Sequence, residues 1–257
     1  MRLDLFLFEN NYVKSRQKAK TLITEGNVKV DNVIIDKPSY NIDENVEHTV
    51  EITNSCPYVS RGGLKLEKLL SITKIDVSGK VCLDIGASTG GFTHCLLLNG
   101  AKRVYAVDSG TNQLAEELLS DERVVSYENF NARNISVNEL GETVDIITID
   151  VSFISQNLII PNASRVLNDN GVYLSLIKPQ FEAGRQNIGK GGIVKSKKAR
   201  LEAVMSVISC AKEHSLFCNA LAESPIQGGD GNVEYIASFS KNGQLLDEKI
   251  IKKIVLE

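Results

Sequence analysis

A chain of 257 residues with a formal net charge of -3 and 24% charged residues can hold one large domain or a medium domain with a small companion. Its near-neutral balance excludes global attraction to nucleic acid, so such a partner would need a local basic face. No apolar run approaches the roughly 20 residues that span a bilayer, and the start Met1-Arg2-Leu3-Asp4 puts an acid where a signal peptide would be apolar. A cytoplasmic protein is expected, with no membrane partner. The cysteines Cys56, Cys82, Cys95, Cys210 and Cys218 are odd in number and form no CxxC pair, which argues against a disulfide framework and against a structural metal site.

In chain order, Leu3, Leu5, Phe6 and Leu7, then Ala19, Leu22 and Ile23, stand at helical spacing and predict two short helices. Ser15 is placed to cap the second, and the run Lys14 to Lys20 is basic with no acid. Residues 26 to 39 read as strand, two-residue Asp31-Asn32 turn, strand and proline stop. A closing strand follows over Thr49 to Ile52, and Cys56-Pro57 interrupts the chain. A small first domain over 1–55, a linker over 56–61 and a larger domain over 62–257 are expected.

Helix, basic helix start, helix and hairpin, carried by Arg2-Leu3-Asp4, Ser15-Arg16, Ala19, Leu22-Ile23, Gly26 to Val30 and Lys37-Pro38-Ser39, resemble the alpha-L RNA-binding domain first described in ribosomal protein S-four. The resemblance implies phosphate contacts from Arg2, Lys14, Arg16, Lys18, Lys20, Lys29 and Lys37 on a structured RNA.

Beyond the linker, Leu66, Leu69 and Leu70 mark an amphipathic helix with Lys65 beside its apolar stripe. Strand and helix then alternate: Val81 to Ile85, helix Phe92 to Leu98, Val104 to Val107, helix Gln113 to Leu119, Val124 to Tyr127, Ile146 to Ile149, helix Gln156 to Leu167, Val172 to Ile177. This is the pattern of a doubly wound, mostly parallel α/β sheet of Rossmann-like type. A long helix over Ala199 to His214 and two late strands, Leu216 to Ala222 and Val233 to Phe239, suggest an antiparallel edge. The tail from Gly243 alternates Leu, Ile and Lys and is expected as a surface helix.

The run Asp84-Ile85-Gly86-Ala87-Ser88-Thr89-Gly90-Gly91-Phe92 reads as strand, glycine turn, helix, a cradle for a nucleotide-like cofactor. It lacks the G-x-G-x-x-G spacing of a dinucleotide site and has no Walker lysine. Asp108 closes the next strand, where it can accept hydrogen bonds from ribose hydroxyls, and Asn131 follows the third, placed for an adenine edge. The pattern resembles motif I of S-adenosylmethionine-dependent methyltransferases, which implies that Asp84 helps position the methionine part of that cofactor.

Asp150, Lys178 and Glu234 are charges at or near the ends of apolar strands, costly to bury without a task or a partner. With Lys65 they resemble the Lys-Asp-Lys-Glu tetrad of the FtsJ-like ribose methyltransferases. The segments Ser60-Arg61-Gly62-Gly63-Leu64-Lys65-Leu66, Asp150-Val151-Ser152-Phe153-Ile154-Ser155, Lys178-Pro179-Gln180-Phe181-Glu182 and Gly231-Asn232-Val233-Glu234-Tyr235, behind an RNA-binding domain, are similar to the TlyA (hemolysin A) family of rRNA 2'-O-methyltransferases. The resemblance implies S-adenosyl-L-methionine as donor and a cytidine ribose 2'-hydroxyl in ribosomal RNA as acceptor. Lys178 would take the hydroxyl proton while Asp150 and Glu234 hold the lysines and the ribose in line, or the lysines would act only as electrostatic and positional groups with water taking the proton.

Arg61, and Arg185 and Lys195 in the glycine- and lysine-rich segment after Lys178, are further RNA candidates. Within the family, short-ended forms go with large-subunit RNA alone. This chain has no basic extension before Arg2 but keeps a C-terminal tail, and 23S rRNA is the expected substrate. The competing readings are a membrane-active cytolysin, a non-catalytic ribosome-assembly factor and a small-molecule O-methyltransferase. A monomer is expected.

Overall fold

Helix-compatible apolar spacing and a left-handed turn build the N-terminal unit, Met1–Pro57. The computed structural model describes residues 1–13, 15–24, 26–52, 56–228 and 231–257. Helices α1 (Leu3–Glu9) and α2 (Arg16–Thr24) pack on a three-stranded antiparallel sheet of β1 (Val28–Val30), β2 (Val33–Ile34) and β3 (Val50–Ile52), ordered β2-β1-β3. Ser15 Oγ caps α2 by accepting the Lys18 N–H at 3.2 Å. Asp31 and Asn32 take φ of 50° and 65°, the positive pair that a two-residue hairpin turn of matching twist needs. Leu3, Leu7, Ala19, Leu22, Ile23, Val28 and Val30 form the core.

In the second unit, Tyr58–Glu257, the chain runs α3 (Gly62–Thr73), β4 (Val81–Ile85), α4 (Gly91–Leu98), β5 (Arg103–Val107), α5 (Glu116–Leu119), β6 (Val124–Tyr127), α6 (Val137–Leu140), β7 (Val144–Ile149), α7 (Ile160–Val166), β8 (Leu167–Ile177), α8 (Pro179–Glu182), α9 (Lys197–Glu213), β9 (Phe217–Glu223), β10 (Tyr235–Ser240) and α10 (Glu248–Leu256). The strands of the described residues form one sheet ordered β6-β5-β4-β7-β8-β10-β9. Pairs from β6 to β8 are parallel, and β10 is antiparallel to both β8 and β9. The order reverses at β4, where β5 leaves on one side and β7 on the other. That reversal opens a crevice at the carboxyl ends of the strands.

Several expected limits shift for local reasons. Residues 58–61, expected as linker, belong to the second unit, where Tyr58 is 5% exposed. The end expected for the first domain falls among residues 53–55, outside the described ones. The helix expected over 156–167 is a 3-10 turn, Gln156–Leu158, followed by α7, because Pro161 favours the first turn of a new helix. Strand β8 starts at Leu167, five residues before its apolar run, through a register shift opposite Val144 and Ile146. The tail helix α10 buries Ile251 and Val255 in the main core, so it is a part of the fold as well as of the surface.

Candidate active site

The glycine turn after β4 has a geometry only its sequence permits. Gly86 has φ 82° and Gly90 φ 94°. A Cβ on Gly86 would lie 2.4 Å from the Asp150 carbonyl oxygen, and one on Gly90 would lie 2.1 Å from Leu118 Cδ1. The bare turn therefore lets backbone of two strand ends meet. Gly86 and Ala87 donate their N–H groups to the Val107 carbonyl at 2.8 and 3.1 Å, tying the turn to the neighbouring strand.

Two cavities of about 300 Å³ each open around it. The first is lined by Arg61, Lys65, Gly86 to Thr89, Gly91, Phe92, Asp150, Ser152 and Lys178. The second is lined by Asp108, Phe130, Asn131, Val151 and Phe153 among others, and shares Gly86, Ser88, Asp150 and Ser152 with the first. One polar cavity that gathers lysines and one more apolar cavity with an acid at its strand end together suit an elongated ligand with a charged end and a nucleoside end.

Sequence separation hides how the charges pair. Lys65 Nζ donates to Glu234 Oε2 at 2.6 Å across 169 positions, with the side chains 11% and 2% exposed. Lys178 Nζ pairs with Asp150 Oδ1 at 2.5 Å and donates to Ser152 Oγ at 3.0 Å. Gln180 Nε2 adds a bond to Glu234 Oε1 at 3.3 Å. All four expected tetrad residues thus converge, as two lysine–carboxylate pairs, with Lys65, Asp150 and Lys178 on the first cavity and Glu234 buried behind Lys65. Glu234 stands just before β10 rather than within it. Ser152 and Gln180 were not singled out from sequence. Their only signal was adjacency to Asp150 and Lys178.

Asp84 departs from expectation. It is fully buried and lines neither cavity. Its carboxylate accepts the Thr93 hydroxyl at 2.7 Å and the Thr148 hydroxyl at 2.8 Å. Burial pushes the carboxyl up to about 6, against the pull of the two threonines. Asp84 fastens β4 to α4 and β7 through these two hydroxyls. Gly90 likewise serves the turn and is not a wall.

Asp108 does line the second cavity, but its oxygens already accept the N–H groups of Ser88 at 2.8 Å and Gly110 at 2.7 Å. It shapes the glycine turn, and a ribose hydroxyl would have to share those oxygens. Asn131 also lines that cavity while its Oδ1 caps the turn Ala132–Asn134 by accepting the Arg133 N–H at 3.1 Å.

The expected RNA-facing cations divide. Arg2 and Arg16 hold Asp4, which is 0% exposed, at 2.9 and 3.0 Å. Burial raises that carboxyl, but the two guanidinium hydrogen bonds outweigh burial and leave it below the ordinary value. Both arginines thus have a structural task that sequence did not reveal. Lys29 pairs with Glu51 at 3.7 Å. Lys37 is exposed, and Lys18 and Lys20 are half-buried on α2. Lys14 lies outside the described residues. Arg61 borders the first cavity, whereas Arg185 and Lys195 are exposed on the segment after α8. That segment is partly structured, with a 3-10 turn at Arg185–Asn187 and Val194 buried.

Comparison with known proteins gives two family matches: FtsJ-like methyltransferase over residues 58–241 and S4 domain over residues 1–48. The 16S/23S rRNA (cytidine-2'-O)-methyltransferase TlyA of Mycobacterium tuberculosis (strain H37Rv) is 38% identical, over 91% of this chain and 87% of its own. The 23S rRNA (cytidine-2'-O)-methyltransferase TlyA of Campylobacter jejuni (strain 81-176) is 42% identical, over 72% of each chain. A solved structure from Streptococcus thermophilus, 40% identical, covers 100% of this chain and 94% of its own with a TM-score of 0.79.

Proposed function

Because the chain belongs to the FtsJ-like methyltransferase family, and within it to the TlyA group, we propose that it methylates the ribose 2'-hydroxyl of a cytidine in 23S rRNA with S-adenosyl-L-methionine as donor. The observation that carries this reading is the pair of lysine–carboxylate contacts gathered beside the glycine turn. Both TlyA relatives carry 23S in their names, which favours that subunit. The S4 unit is proposed as the part that holds the RNA.

The cavities fit the donor. The first, with Ser88, Thr89 and the lysines, would take the methionine end, and the second, with Asp108, Asn131 and Val151, the adenosine. When bound, the donor supplies a methyl group on a sulfonium, open to displacement in line by an oxygen.

This chain's residues supply position and a place for the proton. Methylation of the ribose oxygen would release the hydroxyl proton, which needs an acceptor in the site. Lys178 Nζ, after passing a proton of its own to solvent, takes it. Asp150 stabilises the ammonium that results, and Ser152 Oγ fixes its direction. Lys65, locked to Glu234 in the interior, provides fixed positive charge beside the oxygen as it develops negative charge.

Lys178→Ala should lower the methylation rate by about 10²–10⁴-fold while binding of S-adenosyl-L-methionine, followed by calorimetry, stays near the wild-type value. Lys178→Arg separates proton transfer from simple charge, because a guanidinium keeps its proton. Arginine restoring wild-type turnover would rule out Lys178 as the base. Mass mapping of 2'-O-methylation on 16S and 23S rRNA, with and without the gene, tests the substrate. Loss of no methyl mark would overturn the enzymatic reading.

A further inference from the structure

Asp150, Ser152 and Lys178 come from two segments that leave adjacent strands, residues 150–156 after β7 and residues 175–182 at the end of β8. Among the described residues, 151–154 make no backbone hydrogen bond. Phe153 holds a left-handed φ of 64° and is 92% exposed. Apart from the Lys178–Ser152 contact, hydrogen bonds fix this loop at its ends. At the first, Asp150 N–H donates to the Ile85 carbonyl at 2.9 Å. At the second, the Glu182 carboxylate accepts the Ser155 hydroxyl at 2.5 Å and the Gln156 N–H at 2.9 Å.

Gln156 then reaches back to β8. Its Nε2 donates to the Leu176 carbonyl at 2.7 Å, and its Oε1 accepts the Ser175 hydroxyl at 2.7 Å. The Phe153 and Phe181 rings, 5.2 Å apart, join the same two segments. No cation pairs with Glu182 among the described residues. Burial raises its carboxyl, and the Gln156 amide and Ser155 hydroxyl oppose that rise. A half-buried acid without a counter-charge costs stability unless it has a task, and both of its oxygens are spent on the loop that carries Asp150 and Ser152.

We propose that Glu182 is a positioning residue for methyl transfer: with Ser155 and Gln156 it clamps the Asp150–Ser152 loop against the Lys178 segment and so sets the contacts of Lys178 with Asp150 and Ser152. The role in turnover rests on the methyltransferase reading above. The clamp itself does not. A carboxylate is required because it accepts from two donors at once, and a charged acceptor makes the shorter, stronger bonds. An amide in its place turns a donor toward one of them.

The test uses the full chain with rRNA substrate and the variants Glu182→Gln and Ser155→Ala. A displacement of about 1 Å at reacting groups costs on the order of 10²-fold. Glu182→Gln should therefore lower kcat by about 10–100-fold, with KM for S-adenosyl-L-methionine within about threefold of wild type. Ser155→Ala should have a smaller effect, and the double variant should be no slower than Glu182→Gln alone, as expected of residues acting through one contact.

Amide hydrogen exchange supplies an arm independent of turnover. The hydrogen-bonded amides at the two ends of the loop, Asp150 and Gln156, should exchange faster in both variants while β4 and β5 stay unchanged. Wild-type kcat in Glu182→Gln, or unchanged exchange at Asp150 and Gln156, would overturn the proposal. So would a joint loss of kcat and cofactor binding with a lower melting temperature, which would mark a merely structural residue. A wild-type chain that methylates no rRNA would sink the proposed function, and the exchange arm would then decide the clamp alone. Should Glu182→Gln fail to fold, Ser155→Ala carries the same measurements.

Discussion

At the scale of single residues, the two lysine–carboxylate pairs differ in what they cost when broken. Lys65 and Glu234 are 11% and 2% exposed, Lys178 and Asp150 13% and 23%. Lys65→Ala would strand Glu234 as an uncompensated buried charge with only Gln180 beside it. That loss is about 3–5 kcal/mol, or roughly 6–20 °C in melting temperature for a unit of this size. Lys178→Ala leaves Asp150 at 23% exposure, where water reaches part of the carboxylate, and should cost less than Lys65→Ala. Thermal melts of the two variants should therefore separate clearly, and equal losses would mean that burial does not distinguish the pairs. Strand-end charges were visible in the sequence because an acid or lysine interrupts an apolar run at Asp150 and Lys178. Their pairing was not, since Lys65 and Glu234 lie 169 positions apart. Asp84 shows the converse limit. Its place before the glycine turn is legible, but Thr148, which draws it into the interior, belongs to a strand 64 positions away.

At the scale of elements, the glycine turn and the hairpin are local features, so their conformations could be read from neighbouring residues. Positive φ at Gly86, Gly90, Asp31 and Asn32 follows from residue types that tolerate it. Helix α10 could not be judged in this way. Its apolar residues recur at helical spacing, yet only the fold shows Ile251 and Val255 at 3% exposure against the main core. Lys197 Nζ donates to the carbonyls of Leu256 and Glu257 at 2.8 Å each, a cation at the negative end of the helix. Ile251→Ala should cost about 2–5 kcal/mol and lower the melting temperature by roughly 4–20 °C. A change within the error of the melt would show that α10 is peripheral to stability.

At the scale of the whole molecule, the chain joins an S4 unit to a methyltransferase unit. With a net charge of only -3, binding of RNA has to come from a local set of cations. Replacing Lys18, Lys20 and Lys37 with Gln should weaken rRNA binding at every salt concentration. It should also flatten the plot of log K against log salt by about 0.7–0.9 for each cation that touches a phosphate. An unchanged slope would remove these lysines from the interface. Arg2 and Arg16 make poor controls, since neutralising either also frees buried Asp4.

The sequence by itself determined the two-unit plan, the parallel sheet with its antiparallel edge and the glycine turn after β4, whereas Lys65, Asp150, Lys178 and Glu234 could be grouped only through the resemblance to the FtsJ-like methyltransferases. The first three features rest on periodicity and turn chemistry, both of which act over a few neighbouring residues. Only the tertiary structure decided which lysine serves which acid, that Asp84 fastens strands, that Arg2 and Arg16 neutralise Asp4, and that Glu182 ties together the loops bearing Asp150 and Lys178. These are contacts between distant segments, and electrostatic pairing and burial are properties of distance and solvent access that folding alone creates.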